Sequence, residues 1–308
     1  MQDQAERLRQ LAKQAKHGMA QAEAGARALL SASPSQPNAA QVIAVTSGKG
    51  GVGKSNISIN LSLALCRLGK QVILFDADLG MANVDVLLGI SPQYTLQHVV
   101  HGQKHIHEVL TEGPLGLKVI ASGNGISQLA NLSNQQRERI LSHFALIEDR
   151  ADYIIIDTGA GISRNVISFV LAADQSLVVT TPEPTARLDA YGLIKVTCQE
   201  DFNARLSLVV NQAKDEREGE ELGGLMRTLA QRFLGMHLDY LGSVPKDPKV
   251  WQAVREQNPF VLGHPGCPAS LAVNALAERL SATHEASAER RSSLGGFFGR
   301  LAGLFNQS

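Results

Sequence analysis

Cysteine, tryptophan and excess charge of either sign are all scarce in this 308-residue chain. It has three cysteines, Cys66, Cys198 and Cys267, and no C-x-x-C pair. That excludes a disulfide framework and a zinc ribbon. The scattered thiols also lack the placement needed to bridge an iron-sulfur cluster. Lys+Arg 29 balances Asp+Glu 29, so charge alone would not coat nucleic acid. No apolar run approaches the roughly 18 residues of a membrane span, and the start, MQDQAERLRQ, is polar rather than a secretory signal. A soluble, reducing, cytoplasmic setting is expected.

The composition is that of a globular protein, 44% hydrophobic and 19% charged. Residues 1–30 place Leu8, Leu11, Ala12, Ala15 and Met19 at helical spacing, with Asp3 as a possible cap. Residues 31–40, SASPSQPNAA, read as a linker. From 41 to 283, short β-branched runs alternate with amphipathic stretches. Strands are predicted at VIAV (42–45), QVILFD (71–76), LKVIA (117–121), YIIID (153–157), LVVT (177–180) and LSLVVN (206–211). Near-continuous apolar strands with helices between them predict an α/β doubly wound, mostly parallel sheet. Residues 284–308 form a separate linker and tail.

SGKGGVGKS, residues 47–55, follows the first strand and precedes a helical pattern. Gly48 to Ser55 fits G-x-x-x-x-G-K-[ST], whose glycines let backbone N–H groups close around phosphates. Lys54 would reach the β- and γ-phosphates of ATP, and the Ser55 hydroxyl would hold Mg2+. Gly48, Gly50 and Gly53 also fit a dinucleotide-binding fingerprint, with Asp76 as its ribose acid. The Lys54-Ser55 pair and an acid ending the YIIID strand, Asp157, favour the P-loop. The candidate nucleotide contacts are therefore Gly48, Lys49, Gly50, Gly51, Val52, Gly53, Lys54, Ser55 and Asn56.

Lys49 gives the loop the form K-G-G-x-G-K-[ST]. This resembles the deviant Walker A motif of the MinD/ParA P-loop ATPases. The resemblance implies that Lys49 reaches across an ATP-bound homodimer to the partner's phosphates. It also matches DADLGMANVD (76–85) to switch I, with Asp78 orienting the attacking water and Asp76 nearer the metal. Either carboxylate could instead cap the turn. Asp157 matches the Walker B acid, holding Mg2+ through water, while Asn211, Pro245 and Asp247 match adenine-recognising positions.

Both ends of the chain add to this. Leu294, Phe297, Phe298, Leu301, Leu304 and Phe305 form one helical stripe flanked by Arg290, Arg291 and Arg300. Such a stripe suits a helix lying in anionic lipid, and docking on the ATPase core is its alternative. DQAERLR (3–9) resembles the D-Q-A-x-x-L-R motif of the FlhG/FleN flagellar-number regulators, which are MinD-type ATPases. Asp3, Gln4, Ala5, Leu8 and Arg9 would then contact an FlhF-type GTPase, with Gln4 entering its active site.

That resemblance implies a switch between an ATP-bound dimer on the inner membrane and a cytoplasmic monomer. Further partners would be a FleQ/FlrA-type transcription activator and flagellar switch proteins, with no direct specific DNA binding. A MinD-like division-site regulator would leave DQAERLR unexplained, and a ParA-like partitioning ATPase would need a basic surface. His98, His101, His105 and His107 read as a solvated helix face, and KDEREGEE (214–221) as a solvated loop or helix start.

Overall fold

A computed structural model of the chain describes residues 40–78, 83–123, 143, 151–286 and 294–306. The described residues fall in one unit, Ala39–Ser308. The expected N-terminal helix and linker, with Asp3, Gln4, Ala5, Leu8 and Arg9, lie outside the described residues, as does the switch I stretch 79–82.

Eight strands form one sheet in the order β3-β4-β2-β5-β1-β6-β7-β8. They are β1 (Gln41–Ser47), β2 (Val72–Ala77), β3 (Leu110–Glu112), β4 (Lys118–Ala121), β5 (Tyr153–Ala160), β6 (Gln175–Thr180), β7 (Leu206–Ala213) and β8 (Leu238–Pro245). All pairs are parallel except β3 with β4. The six predicted strands are present, and the two unpredicted ones, β3 and β8, form the sheet's edges. Strand β3 is too short to show a period. Gly242, Ser243 and Pro245 gave LDYLGSVP the composition of a turn.

Among the described residues the α-helices are α1 (Lys54–Arg67), α2 (Val84–Leu88), α3 (Leu96–Val100), α4 (Arg164–Ala172), α5 (Pro184–Glu200), α6 (Glu216–Leu229), α7 (Pro248–Arg255), α8 (Phe260–Gly263), α9 (Pro268–Ala286) and α10 (Leu294–Asn306). They cover both faces of the sheet. In β5, Tyr153 and Ile155 join the core shared with α1 and α9. Ile154 and Ile156 join the opposite core with Phe169 of α4. This period-two division explains the continuous apolar runs, because neither face meets water. KDEREGEE opens α6, where the Asp215 carboxylate accepts from Glu218 N–H at 2.9 Å.

Helix α10 closes the second face. Phe297 and Leu301 are buried, Leu304 is half-buried, and the Phe297 ring lies 6.4 Å from that of Phe169. Arg300 Nε donates to the carbonyl of Ala172, the last residue of α4, at 2.9 Å, and its Nη2 contacts the same oxygen. A cation at a helix C-terminus is electrostatically favourable. Phe297, Leu301 and Leu304 of the stripe expected to face lipid thus pack on the core here. The side chains of Leu294, Phe298 and Phe305 lie outside the described residues.

Among the histidines, α3 ends before His101, and His105 caps a short 3-10 turn at 106–108. His101 and His105 therefore do not share a helix face. No cluster of three or more metal-ligating side chains occurs among the described residues.

Candidate nucleotide-binding site

Parallel strands deliver their C-terminal ends to one edge of a sheet, and ligands bind where the strand order reverses. Here β1 is central, between β5 and β6, so its following loop opens at that crevice. Gly53 caps α1 in the left-handed region at φ 88°. A Cβ there would also stand 2.3 Å from the Asn211 amide nitrogen, so only glycine fits. Gly48 serves close approach instead: a Cβ would lie 2.2 Å from the Asp189 carbonyl of α5.

Gly50, Gly51, Gly53, Lys54, Ser55, Asn56 and Asp78 line one cleft of about 630 Å3, together with Ser47, Asn83, Val86, Leu87 and Ala160. Behind the cleft, Lys54 meets a pair of buried carboxylates on adjacent strands. Asp76 and Asp157 are register partners on adjacent β2 and β5, and both are buried. Lys54 Nζ lies 2.8 Å from Asp157 Oδ1, which also accepts from the Ser58 hydroxyl at 2.8 Å. The side chains of Lys54 and Asp157 are only 7% and 1% exposed. Asp76 accepts backbone N–H groups of Asp78 at 3.2 Å and Val84 at 3.3 Å, so it does cap its turn.

Burial first, and the neighbouring Asp157 charge second, push the Asp76 carboxyl up to about 6. Two carboxylates and the Ser55 hydroxyl form an all-oxygen donor set of the kind Mg2+ takes. A divalent cation would relieve the repulsion that raises Asp76. The donors fit that ion.

Lys49 points elsewhere. Its Nζ is 2.7 Å from Glu183 Oε1 and 2.7 Å from Thr185 Oγ1, at the start of α5. Its amine is thus engaged at the start of α5, while that of Lys54 pairs with Asp157.

The model of the ParA family, described as NUBPL iron-transfer P-loop NTPase, matches residues 38–281. The chain is 42% identical over 240 residues to the antiactivator FleN of Pseudomonas aeruginosa, covering 78% of this chain and 86% of that protein. It is 35% identical over 217 residues to the flagellum site-determining protein YlxH of Helicobacter pylori, covering 70% and 73%. The chain belongs to the FleN/FlhG branch of the MinD/ParA P-loop ATPases. The fold agrees: the MinD of an Aquifex aeolicus MinC:MinD complex superposes with a TM-score of 0.63 at 29% identity, covering 79% of this chain and 96% of that one. Family membership makes this site one for ATP and Mg2+.

The ATPase's remaining site positions are less uniform. Asn211 Nδ2 donates to the Val52 carbonyl at 2.8 Å, tying the end of β7 to the phosphate loop. Pro245 ends β8 beside Ala213, yet it lines a separate cavity with Tyr240 and Arg279. Asp247 caps α7, accepting from Lys249 N–H at 2.8 Å and from Ala269 N–H at 3.2 Å. Partial burial opposes ionisation of Asp247, but those two amides, the Cys267 side chain and the His264 charge together hold its carboxyl below the ordinary range. Its carboxylate is thus committed to a helix start. Sequence reading missed Ser58, Glu183 and Thr185. Ser58 sits one turn after Lys54, a spacing that could have shown it.

The Asp76 carboxylate carries a stability cost. Its carboxyl titrates near 6 folded and near 3.8 unfolded, so between these pH values the folded chain binds the extra proton. Stability is therefore gained as pH falls from about 6 to about 4, and the cost is complete above about 6. Asp76→Asn is expected to stabilise the nucleotide-free chain by about 2–3 kcal/mol at neutral pH. Urea denaturation at pH 7.5 and 5 checks this: the gain should shrink at the lower pH, while Mg2+-dependent turnover is lost at both.

Proposed function

We propose that this ATPase is a nucleotide-gated switch that sets flagellar number and placement. ATP favours a homodimer in which Lys49 of each copy meets the phosphates held by the other. Hydrolysis returns the monomer. The observation that carries the reading is the position of Lys49, whose Nζ pairs with Glu183 and Thr185 at the start of α5 while Lys54 lines the cleft. A monomer then lacks one cation needed against transition-state charge. The likeness to an antiactivator and to a flagellum site-determining protein supports the flagellar client.

Two attachments complete the switch. The DQAERLR segment stimulates an FlhF-type GTPase, and another surface restrains a FleQ/FlrA-type activator. The α10 stripe attaches the dimer to the cytoplasmic face of the inner membrane. The apolar residues that would enter lipid, Phe297 and Leu301, are those packed on the core, so docking and attachment exclude each other. A single short helix binds lipid weakly, and a dimer presenting two binds far more tightly.

GTP hydrolysis by an FlhF-type protein, with and without a peptide of residues 1–30, tests the client. Stimulation is expected, and Gln4→Ala should abolish it. Failure of both the peptide and the full chain to stimulate would leave a MinD-type ATPase with a different client, the division-site reading.

A further inference from the structure

We infer that the free edge of the sheet, where α6 runs beside β8, is a self-complementary contact surface that takes the same face of a second copy of this chain, turned antiparallel. No residue of the ATP cleft lines it, so the inference does not rest on the nucleotide-bound dimer.

Strand β8 ends the sheet and pairs with β7 alone. Helix α6 buries Gly219, Leu222, Gly223 and Met226, and its next stripe lines two cavities along that edge. Glu216 and Glu220 line the first, of about 320 Å3, with Leu271 of α9, which is exposed. Gly224, Arg227, Gln231 and Arg232 line the second, of about 620 Å3, and no carboxylate does. Gln231 and Arg232 stand in a π-turn, Ala230–Leu234, that continues α6. Glu216, Glu220, Gly224, Arg227 and Gln231 follow the spacing of one helix face.

Charge along this face is ordered, acidic at one end and basic at the other. A helix dipole favours that order by itself. The side chains of Glu216, Glu220 and Arg227 nevertheless make no hydrogen bond or ion pair among the described residues, and Arg232 lies over the Phe233 ring. Neighbouring charges are engaged: Arg217 with Glu221 at 2.8 Å, His237 with Asp239 at 2.9 Å, and Arg279 Nη1 with the Leu241 carbonyl at 2.8 Å. A face of this polarity complements itself only when reversed, and a two-fold axis supplies the reversal. With the axis near Gly224, Glu216 and Glu220 of each copy meet Arg227 and Arg232 of the other. Gly224 suits the crossing, because a Cβ there would meet nothing within 4 Å, and Leu225 beside it is exposed. Exposed ion pairs are weak. The contact therefore forms at high local concentration, and a dilute nucleotide-free chain is a monomer.

Sedimentation equilibrium of the full chain without nucleotide, from micromolar to near-millimolar, tests this. Wild type should form a reversible dimer that weakens as salt rises. Glu216→Lys with Glu220→Lys sets like charges opposite each other, as does Arg227→Glu with Arg232→Glu. Each pair of substitutions should weaken the dimer about tenfold or more. All four substitutions in one chain reverse the polarity and leave the net charge unchanged, so that chain should dimerise as wild type does. An equal mixture of the two doubly substituted chains should also associate, which shows that both fold. Wild type that stays monomeric at near-millimolar concentration overturns the inference. So does a dimer that both double substitutions leave intact, or one that neither the fourfold variant nor the mixture restores.

Discussion

Lys54→Ala is expected to lower ATP turnover by on the order of a thousandfold and to destabilise the nucleotide-free chain as well. The rate effect follows from removing a buried cation that lines the cleft, and single preorganised donors are worth about a hundred- to a thousandfold. The stability effect follows from what remains. Asp157 is 1% exposed and its register partner Asp76 is a second buried carboxylate, so without Lys54 both stand with no cation between them. Breaking a buried pair from one side costs about 3–5 kcal/mol. Lys54→Ala combined with Asp157→Asn should recover most of that stability and none of the activity, because the orphaned charge is gone. Urea denaturation and a phosphate-release assay read the two separately. A Lys54→Ala chain as stable as wild type would mean that the pair is already hydrated.

Phe169→Ala is the second large effect. Phe169 is buried in α4, whose N-cap, Ser163, follows the loop after Asp157, and it lines a cavity beside Asp78. On its other side it meets Phe297 of α10. Truncation should cost about 3–5 kcal/mol as a large-to-small core change. It should also remove the surface that holds the tail, while leaving every apolar residue of α10 intact. Cosedimentation with anionic liposomes without nucleotide should therefore rise toward the level wild type reaches with ATP. A chain ending near residue 287 should bind in neither state. Equal lipid binding by the truncated and full-length chains would remove the membrane from the account.

What could be read before the structure depended on whether a signal was local. The P-loop was legible because strand, glycines and helix are consecutive, and the buried strands because their runs are almost wholly apolar. Strand β8 was hidden because it pairs on one side only and carries Gly242 and Pro245. Glu183 lies more than a hundred residues from Lys49, and no spacing rule links them. The resemblance that places Asp247 at an adenine-recognising position carries no sign of Ala269 N–H, which arrives from α9 and helps commit the carboxylate to a cap. The tail illustrates a different limit. An apolar helical stripe records that one face is covered, and the same stripe serves a lipid surface or a protein core.

The central claim is that one chain holds an incomplete site and a second copy supplies the missing lysine. ATP turnover per molecule of the full-length wild-type chain, measured from well below to well above the concentration at which dimers form, tests it most directly. The account predicts a rate that climbs with concentration to a plateau. A normal rate that stays flat down to the lowest concentration would contradict it, because a monomer would then be catalytically complete.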